Sequence, residues 1–294
     1  MKIATSIPVI TNSAKIIADI AKFWDRTSLG WREIWGQHIH HGYYETGEDQ
    51  STTPAALAQE KLLHKLCLLL KPTAADLLLD VGCGMGGSSI YLAKNFNTKV
   101  IGISLSETQL EIAKQATKLQ KLSNVEYKYD DAHCLASFDD NVFDIVWALE
   151  SCEQFYDKSL FIEQANRVLK PGGKLMLATW CASSETYVGT EAKTYLALCK
   201  AFDLPYMPTI PHYHSLLEKH FSVTTVEDWS EHVKNSWEYG IKQLKKYSIL
   251  HLVSKGGITG IKLIGKLKLM SQAFKSGQIR YGVFIARKQD GYGA

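Results

Sequence analysis

From Asp76 onward, short apolar runs alternate with segments of helical period. "DLLLDVG" (76–82) reads as a buried strand, followed by glycines and a helix over "GSSIYLAKN". "TKVIGIS" (98–104) is a second strand, and "LSETQLEIAKQATKLQ" a helix with its own start signal. There Ser106 and Gln109 form an S-x-x-Q capping box, with Leu105 and Leu110 placed as a hydrophobic staple. "NVEYKYD" (124–130), "VFDIVWAL" (142–149) and "GKLMLATW" (173–180) continue the strands, and the helix "SLFIEQANRVL" is stopped by "KPGG". Beyond Trp180 the pattern loosens: a helix over 185–204, a loop at the three prolines of "LPYMPTIPHYH", strands at 221–229 and 279–288, and a basic helical insertion between them. Alternation of this kind predicts an α/β fold, a doubly wound seven-strand sheet with crossover helices. The first seventy residues are helical and aromatic and predict a lid outside the sheet. The expected organisation is a lid at 1–70, a doubly wound core at 71–184 and a substrate-facing region at 185–294 that completes the sheet.

Composition narrows the class. Of the 294 residues, 46% are hydrophobic and 21% charged, the balance of a soluble globular protein. No apolar run reaches membrane-spanning length, and the N-terminus lacks the apolar core of a secretory signal, so a cytoplasmic location is expected. The six cysteines show no C-x-x-C spacing and read as reduced thiols. The net charge of +3 hides an asymmetry: residues 240–294 hold eleven Lys and Arg against Asp290, leaving 22 basic and 29 acidic residues before them. That basic segment is either a solvated helix face or a peripheral contact with an acidic membrane. Within "KGGITGIKLIGKLKLM" (255–270), Ile261, Ile264 and Leu267 recur at helical spacing, so it also reads as one wall of an apolar tunnel. No aromatic–basic interleaving accompanies the lysines, which argues against a nucleic-acid partner.

The chemistry concentrates at "DVGCGMGGSS" (80–89). Gly82, Gly84, Gly86 and Gly87 allow a tight turn and close backbone approach to a ligand, and the helix that follows favours negative charge at its start. Dinucleotide enzymes share this spacing. Three features oppose a nicotinamide cofactor. Asp80, inside the strand, can receive the ammonium end of an amino acid. The second strand ends in Gly102-Ile103-Ser104-Leu105, with no acid for a ribose. Asp131 and Ala132, after the third strand, are suited to an adenine amino group.

Taken in order, D-V-G-C-G-x-G-G, "GISLSETQ", "DDA", "FDIVWALES" and "RVLKPGG" resemble the S-adenosylmethionine-dependent methyltransferases of the seven-strand fold. More narrowly, "IWGQHIHHGYY", "WALESCEQFYDK", "TWC" and "EDWS" resemble the γ-tocopherol methyltransferase family, with which plant alkaloid N-methyltransferases share ancestry. The resemblance implies S-adenosylmethionine as cofactor and places Asp80, Gly82, Cys83, Gly84 and Gly86 along its methionyl and ribose portions. It puts Ser104 and Gln109 where relatives use a ribose-binding acid, and Asp131 and Ala132 at the adenine. Glu150, in "ALES", is expected at the crevice beyond the strand ends. The acceptor implied is a small lipophilic phenol methylated on a ring carbon, or else an amine methylated on nitrogen. Family members commonly read E-S-x-E-H at this point, whereas this chain has Gln154, an amide that can orient an acceptor but takes no proton.

Either another residue is then the base, or the acceptor needs none. "WREIWGQHIHHGYYE" (31–45) sets His38, His40 and His41 among Trp31, Trp35, Tyr43 and Tyr44. A metal reading would need carboxylate or thiolate partners at suitable spacing, and methyl transfer here needs no metal. Two readings remain: packing of a lid turn, or contact with cofactor and acceptor. In the second, His40 or His41 serves as base, Tyr43 and Tyr44 close over the cofactor, and Trp35, His40, Tyr44 and Trp180 wall the acceptor.

Overall fold

The computed structural model describes residues 1–9, 11–246 and 258–289. In chain order the elements are β1 (Lys2–Ala4), α1 (Ser13–Trp35), α2 (Ala55–Leu70), β2 (Leu77–Val81), α3 (Gly87–Phe96), β3 (Lys99–Ser104), α4 (Glu107–Leu119), β4 (Val125–Tyr129), β5 (Phe143–Leu149) and α5 (Lys158–Val168). There follow β6 (Leu169–Ala182), β7 (Thr186–Val188), α6 (Gly189–Phe202), α7 (Ile210–Leu217), β8 (Phe221–Asp228), α8 (Ser230–Val233), α9 (Ser236–Lys246), α10 (Ile258–Lys275) and β9 (Ile279–Lys288). Seven strands form one sheet in the order β4-β3-β2-β5-β6-β9-β8, with β9 antiparallel to both its neighbours and the other pairs parallel.

Alternation along the central strands builds two cores. Leu78, Trp147 and Met176 face one side and Leu79, Val146 and Leu177 the other, all fully buried. The first side is closed by Leu62, Leu63, Leu66 and Leu70 of α2 and by Leu267, Met270 and Phe274 of α10. Phe161 and Ile162 of α5 and Tyr213 and Leu217 of α7 close the second. The helices begin where side chains satisfy their first amides: Asn12 accepts from Lys15 N, Ser106 from Gln109 N, Asp157 from Leu160 N and Thr209 from His212 N.

The structure corrects several expectations. α2 is part of the core rather than of a lid, because its leucine face packs directly on the sheet; β1 is tied to β7 in a separate ribbon. Among the described residues, the N-terminal elements that cover the cavity described below are α1 and the turn after it. The proline-rich loop shortens, since Thr209 and Pro211 start a helix there. "KPGG" ends α5 but is absorbed into β6, with a register shift opposite Phe143 and Ile145. The capping box is half made: Ser106 caps α4, while the Gln109 side chain turns to Ser104 instead. The described part of α10 packs into the core and contributes nothing to the cavity wall, so the tunnel reading fails there; Ile261 and Lys262 have side chains outside the described residues.

Candidate active site

The strand order reverses between β2 and β5, so the chain leaves these two neighbours in opposite directions and opens a crevice beyond their ends. The cavity there spans about 1600 Å³ with its open mouth included. Its floor carries Asp80 and the glycine turn, Glu150 and Glu153; Asp131, Ala132 and His133 stand at one side, and α1 with His38–His41 forms the roof.

Glycine is obligatory at the tightest point. Gly82 has φ 75°, and a Cβ there would sit 2.3 Å from the Cβ of Ser151, whose hydroxyl donates to Val81 O at 2.7 Å. Gly84, at φ 53°, is different: a Cβ would meet only the Gln109 amide nitrogen at 4.0 Å, so its backbone is open to the cavity. The Cys83 side chain lies against Gly102, where an added Cβ would come within 2.9 Å of its sulfur, and burial pushes the thiol well above its ordinary pKa. Ser104 donates to the Gln109 Oε1 at 2.9 Å and accepts from Ser106 N, which leaves the Gln109 Nε2 as the donor near Gly84.

Asp80 is buried and accepts from the Ser89 hydroxyl at 2.6 Å; burial, only partly offset by Ser89, pushes its carboxyl up to about 7. Among the described residues no cation offsets it, which marks a place for one. Asp131 is held differently. Its Oδ1 accepts from both the backbone N–H and the Nδ1–H of His133, the latter at 2.6 Å. Burial raises this carboxyl, but the His133 bonds outweigh burial and hold it below its usual value. The His133 ring stacks on Tyr156 with centroids 3.7 Å apart.

The histidine cluster divides by role. His41 donates from Nδ1 to Glu150 Oε2 at 2.7 Å and from its backbone N–H to Oε1 at 2.8 Å; Tyr281 donates its hydroxyl to the same Oε1 at 2.9 Å. Burial raises the Glu150 carboxyl, but the adjacent His41 more than compensates and keeps it low. Glu150 has φ 49°, a left-handed backbone unusual for this residue type, and strain of this kind gathers at functional positions. The other ring nitrogen of His41, Nε2, is buried without a hydrogen-bond partner among the described residues. The His41 ring lies among Trp180, Trp237, Phe274 and Tyr281, with centroids 5.1–5.9 Å apart; His41 and the two tryptophans line the cavity. His40 donates from Nδ1 to His41 O at 2.8 Å and shapes the turn. His38, whose ring lies where a Cβ on Gly87 would come within 2.7 Å, is pushed down to about 3 by burial and by His40.

Other sequence expectations fare less well. Gln154 is not free to hold an acceptor: its Oε1 accepts from the Trp24 indole at 2.8 Å and its amide donates to Phe202 O at 3.2 Å. Tyr43 does not reach the cavity, because it stacks on His232 at 4.3 Å and meets Trp229 edge-on. Tyr44 faces a separate small cavity beside Trp35 and His40, its hydroxyl buried and without a partner among the described residues. Trp35, His40 and Trp180 do line the main cavity. Sequence reasoning missed Glu153, although it stands in the quoted "ESCEQ": its Oε1 accepts from Trp180 N at 2.8 Å, and burial beside Glu150 pushes the carboxyl up to about 8. Tyr281 and Trp237 were also missed, and no local signal connects them to Glu150 and His41 far earlier in the chain.

Comparison with known proteins agrees with this geometry. The family model for a methyltransferase domain matches residues 72–253. The chain is 32% identical to the tocopherol O-methyltransferase of Arabidopsis thaliana over 95% of its own length and 84% of the relative's. It is 31% identical to the 2-methyl-6-phytyl-1,4-hydroquinone methyltransferase of Synechocystis, covering 87% and 82% of the two chains. Among solved structures, the cyclopropane synthase MmaA2 of Mycobacterium tuberculosis superposes with a TM-score of 0.82 at 17% identity, over 92% of this chain and 98% of that one. The [4+2]-cyclase SpnF does so at 0.80 and 23%, over 97% and 99%. These last two show the shared fold. The chain belongs to the S-adenosylmethionine-dependent methyltransferases, in the tocopherol methyltransferase-like family.

Proposed function

We propose that this enzyme methylates a small lipophilic phenol at the ring carbon ortho to the hydroxyl, with His41 Nε2 as the base. The observation that carries the reading is the 2.7 Å bond between His41 and Glu150, which leaves on this cavity-lining residue a buried Nε2 without a partner among the described residues. An ordinary phenol titrates near about 10 and needs such a partner at neutral pH. Relatives named for tocopherol and for a phytyl hydroquinone support this acceptor class. So does the wall around it, built from Phe23, Trp24, Trp31, Trp180, Phe202 and Trp237.

The residues fit the donor. Asp80 has no cation beside it among the described residues and would receive the methionyl ammonium; the open backbone at Gly84 and the Gln109 amide would lie along the ribose, and Asp131 with Ala132 would receive the adenine. When bound, S-adenosylmethionine supplies a methyl group already activated by its sulfonium. The protein's task is therefore alignment, dryness and one proton. An acceptor that parts the Trp180 and Trp237 indoles brings its hydroxyl to His41 Nε2. The phenolic proton passes there, and Glu150 stabilises the imidazolium through Nδ1–H. Electron density moves from the oxygen to the ortho carbon. The ring later sheds its own proton from that carbon and the oxygen is reprotonated, so one proton leaves per turnover.

A second reading has its own support. Glu153 is a buried carboxyl in an aromatic wall, which suits an acceptor that arrives as an ammonium ion. The relative named norajmaline N-methyltransferase, 25% identical, is consistent with it. His41→Gln separates the two. On prenylated phenols, turnover should fall by about 10²–10⁴-fold with S-adenosylhomocysteine affinity unchanged. Equal activity of variant and wild type on phenols would refute the base, and products formed from amines alone would favour the second reading.

A further inference from the structure

The apolar face of α1 has a cavity beneath it where a helix ordinarily has core. Ile16, Ile20, Phe23, Trp24 and Trp31, spaced by three, four or seven residues, share one face and all line the cavity. Of the helix's 23 residues, only Ile16, Ser28, Ile34 and Trp35 are buried. In its middle turns only Ser28 is buried, so discrete contacts also hold them in place. Two successive residues supply them. Trp24 donates its indole N–H to Gln154 Oε1 at 2.8 Å, while Asp25 Oδ1 accepts from the Ser106 hydroxyl at 2.6 Å and from Thr108 N at 3.2 Å. Gln154 is braced from behind by its 3.2 Å bond to Phe202 O at the end of α6.

We propose that Gln154 is a positioning residue that latches α1 over the occupied cavity through Trp24, with Asp25 as a second catch on the first turn of α4. The chemistry suits the task. An amide offers an acceptor and a donor at once and keeps both at every pH, whereas an imidazole does so only while neutral. The latch residue directly follows Glu153, whose Oε1 holds the backbone of Trp180, so the catch and the acceptor wall share one short turn. Closing α1 covers both halves of the cavity, because Ser106 borders the donor half through Ser104 and Gln109, and Trp24 borders the acceptor half. The inference rests on S-adenosylmethionine as donor and is independent of which acceptor is used.

The test uses the full-length enzyme with S-adenosylhomocysteine alone. Lys15, Lys22, Arg26 and Arg32 are exposed along α1, so trypsin reports its local opening. Trp24→Phe and Gln154→Leu should each speed cleavage of α1 in the S-adenosylhomocysteine complex, and release of that ligand, by about fivefold, the worth of one neutral hydrogen bond. The double variant should be no faster than either single one. Global melting temperature without ligand should stay within about 2 °C of wild type, which a merely structural role in the core would not allow. Wild-type cleavage and release in both single variants would overturn the latch. So would multiplying effects in the double variant, or a large loss of melting temperature accompanying the faster cleavage.

Discussion

Asp80 makes a measurable prediction about donor binding. In the free enzyme burial pushes its carboxyl up to about 7 from an ordinary 3.8, a shift that corresponds to about 4 kcal/mol. Since the folded pKa is the raised one, the penalty is absent below the unfolded pKa, grows as pH rises from about 4, and is complete above about 7. A methionyl ammonium at this site would remove most of it by pulling the carboxyl down. At pH 6.5 roughly three-quarters of free Asp80 is protonated, so binding S-adenosylhomocysteine should release about 0.7 proton; at pH 8 the release should be about 0.1. Isothermal titration in two buffers of different ionisation enthalpy reads that number directly. Apparent affinity should rise with pH through this window, and Asp80→Asn should abolish the proton release while weakening binding. No proton release at pH 6.5 in the wild type would refute the assignment of Asp80 to the ammonium.

Three further outcomes follow from the same geometry. Glu150→Gln should lower turnover by about 10–100-fold, as expected for losing the charge that holds and stabilises the His41 ring, with S-adenosylhomocysteine affinity within twofold by titration; unchanged turnover would remove Glu150 from the base assembly. Gly82→Ala should abolish donor binding in a thermal-shift assay, because its Cβ would fall 2.3 Å from Ser151 at φ 75°; retained binding would mean that the turn relaxes. Glu153 carries a raised carboxyl, so its stability penalty grows from about pH 4.5 and is complete above about 8. Glu153→Gln, which keeps the acceptor for Trp180 N, should therefore raise the melting temperature at pH 9 and change it little at pH 5. An equal effect at both pH values would contradict the buried charge.

The parallel strands, their order of appearance and the glycine turn were legible because they depend on local pattern: alternating burial, a capping serine and glycines before a helix. β9 matches its sequence bounds residue for residue. The role of α2 was not legible, since a leucine-rich amphipathic helix packs as well on a sheet as in a lid, and only the tertiary partner decides. Asp80, Glu150 and His41 could be singled out as candidates by residue type and position. That His41 and Glu150 are bonded, and that Tyr281 completes the assembly, depends on contacts spanning 109 and 131 positions. Gln154 shows the limit most clearly. Its place where family members carry histidine suggested contact with an acceptor, yet a tryptophan 130 residues earlier occupies its acceptor oxygen. Tyr43 likewise sits in an aromatic run beside the cavity, but its ring turns outward onto His232.

The most direct test of the His41 assignment is a crystal structure of the enzyme with S-adenosylhomocysteine and a prenylated phenol. The phenolic oxygen should lie within about 2.6–3.2 Å of His41 Nε2 with the ortho carbon facing the donor sulfur. A hydroxyl seated elsewhere, with Nε2 still enclosed by Trp180 and Trp237, would contradict it.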